Sequence, residues 1–373
     1  MITTVLLIPL AIACWNLVAF ARVRRGERPR ATPMVSVLAP ARNEERSIAP
    51  CVESLLGQDY PEIEVIVLDD LSEDRTGEIL ARISARDPRL RVLRGEPLPP
   101  GWIGKNWACW RLAAEARGEW LCFTDADTVH HSLSVTSTIA AAERLDVPFI
   151  SAVPKQIMRG FWERVVIPMT QYLYFAWLPN RWITTFRDPR FSAANGQLLC
   201  IRRDAYDAID GHRGVANDIV EDVVLARRAK GRGIRVALAT AVDTIACRMY
   251  RSPGEIVEGF SKNLYPGFGH NPVAIGLFVA GNLLLHTLPL LFLAIGLATG
   301  DRSASWFTLP LAQLAAASSI RGMIAFRFRM GGDQILYHPL SALAASLIAL
   351  RSWRLYRKGA GGGRWKGRVY PRA

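Results

Sequence analysis

"EWLCFTDADT", residues 119–128, is a short apolar run that ends in two carboxylates, Asp125 and Asp127, one residue apart. Strand interiors avoid uncompensated charge. Two aspartates at a strand tip therefore hold something, and a divalent cation is the expected guest. Alternate positions on a strand point to opposite faces, but where the chain turns at the strand end both carboxylates can converge. Mg²⁺ or Mn²⁺ suits such a site, because hard cations take oxygen ligands and share substrate phosphates.

Working outward, strand and helix patterns alternate. "MVSVLAPARNEE" reads as a strand from residue 34 to 38 running into a loop, and "SIAPCVESLLGQ" as a helix with Ser47 as N-cap. "IEVIVLDDLSEDRT" is a second strand, 63–68, that ends in acids; "TGEILARISARD" is a helix and "LRVLRG" a short strand. "KNWACWRLAAEARG" is a helix with Gly118 at its end, and the opening stretch is the fourth strand. The strands are continuous apolar runs, which is the signature of a mostly parallel sheet covered on both faces, an α/β fold. Ligands in such sheets bind at the carboxyl ends of the strands. "PARNEE", "DDLSED" and "TDADT" all lie there.

The chain has 373 residues, 50% of them hydrophobic, with a mean hydropathy of +0.13. The apolar residues are uneven: 2–20, 272–300, 304–320 and 335–350 are the long uncharged stretches, while 34–265 is globular in composition. The first stretch reads as a retained anchor over 1–21 rather than a cleaved signal. No basic region precedes it, no small-residue cleavage site follows, and "ARVRRGERPR" comes after it. By the positive-inside bias, the following domain faces the cytoplasm of a multi-pass inner-membrane protein. C-terminal membrane helices are expected over 270–352 and a basic cytoplasmic tail over 353–373. If all three C-terminal stretches span, that tail lands outside, so 335–350 is expected to lie in the interface or re-enter.

The net charge is +13, much of it beside the apolar stretches. That pattern fits a membrane surface and not nucleic acid. Six cysteines without CxxC or regular spacing point to reduced thiols, with neither disulfide nor zinc site.

Several motifs could carry chemistry. "DDLSED", 69–74, is as readily a solvated turn as a place where Asp70 meets a base or ribose. "GWIGKN", 101–106, opens a helix with Gly104 and Lys105, which suits a phosphate, although it is no Walker motif. "NDIVEDVVLARRAKGRG", 217–233, begins with Glu221 and Asp222. These favour the helix dipole, or one of them is a general base. Arg248, Arg251 and Lys262 are placed to hold a diphosphate or to snorkel at an interface. Residues 157–187 carry Trp162, Trp177 and Trp182 among arginines, as a segment at the membrane surface does, and these three are candidates to touch an apolar acceptor. His212, like the other histidines outside any HxxxH or HxH pair, is read as structural rather than as a third metal ligand.

In order, "APARNEE", "LDDLSEDRT", "GKN", "TDADT", "NGQLLCIRRDAYDAIDGH" and "VEDVVLARRAKGRG" resemble glycosyltransferase family 2, whose members have the GT-A fold, over roughly residues 34–265. "LPPGWIGKNWACW" and "WKGR" resemble the subgroup linked to carotenoid and hopanoid biosynthesis. The resemblance implies a Rossmann-like nucleotide-sugar domain flanked by transmembrane helices. Pro40, Ala41, Arg42, Asn43, Glu44, Asp69 and Asp70 would cradle a uridine-type nucleotide, with Lys105 nearby. Asp125 and Asp127 match the DxD motif, which meets ribose and the metal. Asp222, beside Glu221, matches the catalytic base, and Arg248 and Arg251 fall near QxxRW. The string here is "RMYRS", which lacks the Gln and Trp of processive synthases. The implied reaction is inverting, metal-dependent transfer from a nucleotide sugar to an isoprenoid lipid. A polyprenyl-phosphate acceptor is the alternative, and a non-catalytic membrane scaffold the more distant one.

Overall fold

The computed structural model describes residues 5–357 and 364–369. The chain divides into two compact units. One holds Ala21–Ile157 and Arg181–Met249; the other holds the residues up to Phe20, Met158–Asn180 and the chain from Tyr250 onward.

The first unit is built on strands β1 (Ala21–Arg22), β2 (Val35–Ala41), β3 (Ile63–Asp69), β4 (Leu90–Arg94), β5 (Trp120–Thr124), β6 (Thr128–His130), β7 (Phe149–Val153), β8 (Lys155–Gln156), β9 (Leu198–Arg202), β10 (Val236–Thr240) and β11 (Ile245–Cys247). Eight of them form one sheet in the order β1-β10-β7-β9-β5-β2-β3-β4. β9 runs antiparallel to both neighbours, and every other pair is parallel. β5, β7 and β10 are buried at every position, which explains why their sequences are unbroken apolar runs rather than alternations. β6, β11 and β8 form a small second sheet beyond the carboxyl end of β5.

The strand read through Thr128 stops at Thr124. The Thr128 amide and hydroxyl both donate to the Asp125 carbonyl, at 3.2 and 2.7 Å. This closes a turn over Asp125–Asp127, so the carboxylates leave the sheet instead of alternating across it. Ser47 does stand at the N-cap of helix Ile48–Leu56, but its hydroxyl donates to Glu44 rather than capping the helix.

The cysteine reading is corrected. Cys122 and Cys200 form a disulfide. They are 78 residues apart in sequence, and the antiparallel β5–β9 register puts them directly opposite. Spacing cannot reveal a pairing made by strand register. Cys51, Cys109 and Cys247 are buried free thiols.

At the amino end of the sheet, Glu64 on β3 is 5% exposed. It accepts from the Ser36 hydroxyl at 2.6 Å, the Arg117 amide at 2.6 Å and the Arg117 guanidinium at 3.1 Å. Burial alone would raise the Glu64 carboxyl, but these donors outweigh it and hold it below the ordinary value of 4.5. A Cβ on Gly118 would sit 2.5 Å from the Ser36 nitrogen, so only glycine admits this close approach. Because the folded state prefers the charged Glu64, its contribution is complete above about pH 4.5 and is lost as pH falls through the depressed value. Glu64→Gln is expected to cost about 1–3 kcal/mol at neutral pH. Thermal unfolding of the detergent-solubilised protein should show that gap at pH 7 and a smaller one in acid.

The second unit is helical. Helix Leu7–Ala19 packs on Pro168–Ala176 and on Leu309–Arg327. Asn16, fully buried, donates to the Phe175 and Leu178 carbonyls and accepts from the Asn180 amide. That satisfies a polar side chain in an otherwise apolar helix. Among the described residues two helices are long and apolar enough to cross a membrane, Pro272–Thr299 and Ala304–Arg327. Leu7–Ala19 is shorter, and His338–Arg357 is not among the candidate spans. Part of the basic tail, 358–363 and 370–373, lies outside the described residues.

Candidate active site

The site forms at the carboxyl ends of β2, β3 and β5. The loop after β2 and the loop after β3 are bonded to each other. Arg42 donates to the Asp70 and Leu71 carbonyls at 2.7 and 2.6 Å and pairs with Glu73 at 2.9 Å. Asn43 adopts a left-handed backbone (φ 52°), receives the Glu73 amide and donates its own to Ser72. The Glu44 amide donates to Thr76. Arg42 and Asn43 thus hold the two loops together. Asp70 is buried at the strand tip, while Asp69 accepts from the Ser72 amide at 3.1 Å. Pro40 lines the cleft, and Ala41 is buried beside it.

The cleft is lined by Pro40, Lys105, Phe123, Asp125, Gly196 and Glu221, among others. Lys105 Nζ is 2.8 Å from Asp125 and 3.0 Å from Glu221. Burial works against its charge, but these two carboxylates hold the Lys105 pKa well above its usual range. Helix Glu221–Gly231 presents Asp222 at its first turn. The Asp222 carboxylate accepts from the Gly196 and Val223 amides, each at 2.8 Å. Burial, and then the Glu221 charge, push Asp222 up to about 7 against the opposing pull of Lys105. A Cβ on Gly196 would lie 3.0 Å from Lys105 Nζ, 3.5 Å from Glu221 and 3.6 Å from Asp222. Glycine keeps the space between these groups open. Residues drawn from positions 105, 125, 196 and 221–222 thus meet in one cleft.

Asp127 accepts from the Cys247 thiol at 3.3 Å. Asp127, Glu44 and Asp125 all act on Cys51, whose thiol burial pushes up to about 12 despite a Thr128 hydrogen bond. Glu44 thus lies near enough to Cys51 to act on it together with the two aspartates. Among the described residues no group of three or more His, Cys, Asp or Glu is placed to hold a metal ion. The oxygen donors on offer are Asp125 and Asp127, a set that fits an ion completed by substrate phosphates and water rather than by a protein cage.

The histidines stand behind the site. His130 Nε2 contacts the Thr124 and Thr128 hydroxyls at 3.0 and 3.1 Å, and its Nδ1 meets Ser134. Burial lowers its pKa to about 4, so it is neutral and braces the carboxylate turn. His212 contacts Tyr206 at 2.9 Å and sits edge-on to Phe123, with burial and then Lys105 lowering it to about 3.

Some residues of the site were missed in the sequence. Asn106, fully buried, donates to the Val215 and Asp218 carbonyls, which ties the helix carrying Lys105 to the segment leading into Asp222. Trp102, Trp107 and Trp110, from the same helix and the turn before it, pack together at 5.1–5.7 Å. Gln197 links the site to β11 through Cys247. Their only signal was membership in "GWIGKNWACW" and "NGQ".

Other expected residues are not in this cleft's lining. Arg248 follows β11, with its amide 3.4 Å from the Asp127 carbonyl. Arg251 belongs to the helical unit, where its amide donates to Glu255. Trp162 and Trp177 are exposed residues of that unit; Trp182 is exposed on the unit that holds the sheet, packed on Phe186 and Phe191.

Comparison with known proteins gives this arrangement its class. A mannosyltransferase from Pyrobaculum calidifontis, solved with GDP-Man and Mn²⁺, superposes with a TM-score of 0.53 over 93% of this chain and 98% of its own, at 17% identity. The fold is GT-A. The glycosyl transferase family 2 model matches residues 36–209. Among curated relatives, 4,4'-diaponeurosporenoate glycosyltransferase of Staphylococcus haemolyticus is 26% identical over 254 residues, covering 67% of this chain and 65% of the relative. The enzyme of that name from Staphylococcus aureus USA300 is 24% identical over 363 residues, 90% of this chain and 88% of the relative.

Proposed function

We propose that this protein transfers a sugar from a nucleotide sugar, a uridine diphosphate sugar in the first instance, to an apolar isoprenoid lipid of the carotenoid or hopanoid kind, with inversion at the anomeric carbon. The observation that carries this reading is the cleft in which Lys105 bridges Asp125 and Glu221 while Asp222 stands beside them with its pKa pushed up to about 7. Glu221 is committed to the lysine ammonium. Asp222 is the carboxylate suited to take a proton near neutral pH.

Asp222 removes the proton of the acceptor hydroxyl as its oxygen attacks the anomeric carbon. The bond from that carbon to the diphosphate oxygen breaks on the opposite side, and the nucleoside diphosphate leaves with the electron pair. Lys105 places a positive charge where the leaving group's negative charge develops. Pro40–Glu44, Asp69 and Asp70 line the nucleotide end, and Arg248 and Arg251 are assigned to the diphosphate. Asp125 and Asp127 would hold a divalent cation, Mg²⁺ or Mn²⁺, which supplies neutralisation of the diphosphate. Trp162, Trp177 and Trp182 are assigned to the apolar acceptor. The name of the relatives, 4,4'-diaponeurosporenoate glycosyltransferase, supports the lipid class. The apolar helices support a bilayer location.

The test is a transfer assay with membranes containing the protein, radiolabelled UDP-glucose followed by other nucleotide sugars, and total isoprenoid lipid. Label is expected in a neutral lipid, dependent on Mg²⁺ or Mn²⁺ and lost in EDTA. Label in an acid-labile polyprenyl phosphate would replace the acceptor assignment. No transfer from any donor would overturn the reading.

A further inference from the structure

The helical unit contains a charge with no counter-charge. Arg321 lies in helix Ala304–Arg327 and is 1% exposed. Its guanidinium reaches the Met169 sulfur at 3.8 Å and the Arg164 carbonyl at 3.3 Å, and its Nε has no partner. No carboxylate among the described residues pairs with it. A buried guanidinium without an anion is costly anywhere, and more so in a helix apolar enough to span a bilayer.

Three further polar side chains surround the same place. Tyr172, His286 and His338 are all buried, with ring centroids 4.7–5.4 Å apart. The Tyr172 hydroxyl, His286 Nδ1 and both His338 ring nitrogens lack hydrogen-bond partners. Arg321 is close enough to act electrostatically on both Tyr172 and His338. His286 sits on a π-helical turn, Leu283–Thr287, that interrupts helix Pro272–Thr299. Such turns break the regular ladder and recur at functional sites. The Tyr172 hydroxyl, the Arg321 Nε and one nitrogen of each neutral imidazole can all donate around one permanent positive charge, which matches an oxyanion, an acceptor of several hydrogen bonds at once. A metal ion is disfavoured, because the guanidinium would repel it.

We propose that Arg321, Tyr172, His286 and His338 form a binding site for the oxyanion head of a lipid, a carboxylate or a phosphate, inside the helical unit. The surrounding helices are apolar, so the rest of the ligand is hydrocarbon. This goes beyond the sugar-transfer reading and does not depend on it.

The test measures binding to the full chain in nanodiscs without any sugar donor. In phosphatidylcholine discs, retinoic acid is titrated against retinol, which has the same hydrocarbon and no charge, with tryptophan quenching as the readout. In a second arm, the thermal midpoint is compared between discs of phosphatidylcholine and discs containing phosphatidic acid. Expected is at least about a tenfold preference for the acid over the alcohol, or a rise in midpoint with phosphatidic acid, and loss of that preference in Arg321→Gln. The first response assigns the site to an isoprenoid acid, the second to a phospholipid head. His286→Gln and His338→Gln keep the guanidinium and should weaken the preference about threefold each, so the proposal stays testable if Arg321→Gln does not fold. Absence of any anion preference in the wild type, or an undiminished preference in all variants, overturns it.

Discussion

Asp222→Asn is expected to lower the rate of transfer to a lipid hydroxyl by about 10²–10⁴-fold, the usual contribution of a general base, while leaving donor binding near the wild-type value. Asparagine keeps the size of the side chain and, through its one carbonyl oxygen, one of the two contacts with the Gly196 and Val223 amides. It loses the ability to take a proton. The same carboxylate sets a pH dependence. Its folded value is pushed up to about 7 by burial and by Glu221, so the active, deprotonated form is reached only as pH rises through that value. The profile of kcat/KM should therefore climb to a plateau above about pH 7, and Asp222→Asn should flatten it. Stability moves the other way. A carboxyl raised from 3.8 to about 7 makes the fold pay for deprotonation, so wild type loses stability on going from acid to above pH 7. The asparagine variant lacks that titration, so its stability relative to wild type should improve on going from acid to above pH 7. A variant that is inactive because it is unfolded would show no cooperative thermal transition at any pH, which separates the two explanations. If the acceptor is already an anion, no proton needs removal and the rate effect collapses, which makes this substitution diagnostic of the acceptor's chemistry.

Lys105→Met is expected to have the second largest effect, because one ammonium serves three carboxylates. It neutralises Asp125 and Glu221 directly and restrains Asp222 from rising further. Without it the acids repel one another across the cleft around Gly196. The Asp222 pKa should rise, and the ascending limb of the rate profile should move to higher pH. The rate on the plateau should fall about 10²-fold for loss of the positive charge facing the leaving diphosphate. Lys105 is about a third exposed, so solvent screens part of its pairing. The stability loss should therefore stay near 1–2 kcal/mol, below what a fully buried pair would give. An unmoved pH limb in an otherwise folded variant would show that Lys105 does not couple to Asp222.

The alternation of strands and helices was legible because buried parallel strands need unbroken apolar runs, and β2, β3 and β5 are such runs. The carboxylates at 125 and 127 were legible because charge at the end of an apolar run demands a reason. Asp222 was singled out through a family resemblance; nothing in the local sequence placed it within reach of residue 105. The antiparallel strand β9 escaped the reading, and with it the disulfide, since "LLCIR" carries no mark of direction. Residues 158–180 fall inside the stretch of globular composition, though their tryptophans and arginines read as a membrane-surface segment, and they pack with the helices of the other unit.

What the sequence determined by itself is local: which segments are apolar, where chains of helix and strand begin, and which strand ends carry acids. Hydrophobic periodicity and turn chemistry act over a few residues, so a linear reading captures them. What only the tertiary structure decided is every relation between distant segments. Asn106 anchors the segment before Asp222 from more than a hundred positions away, and Lys105 stands between acids from two other elements. Tyr172, His286, Arg321 and His338 come from four separate helical segments and leave the Arg321 guanidinium without a carboxylate partner among the described residues. Charge and hydrogen bonding act through space at a few ångströms, and the fold alone sets which residues lie that close.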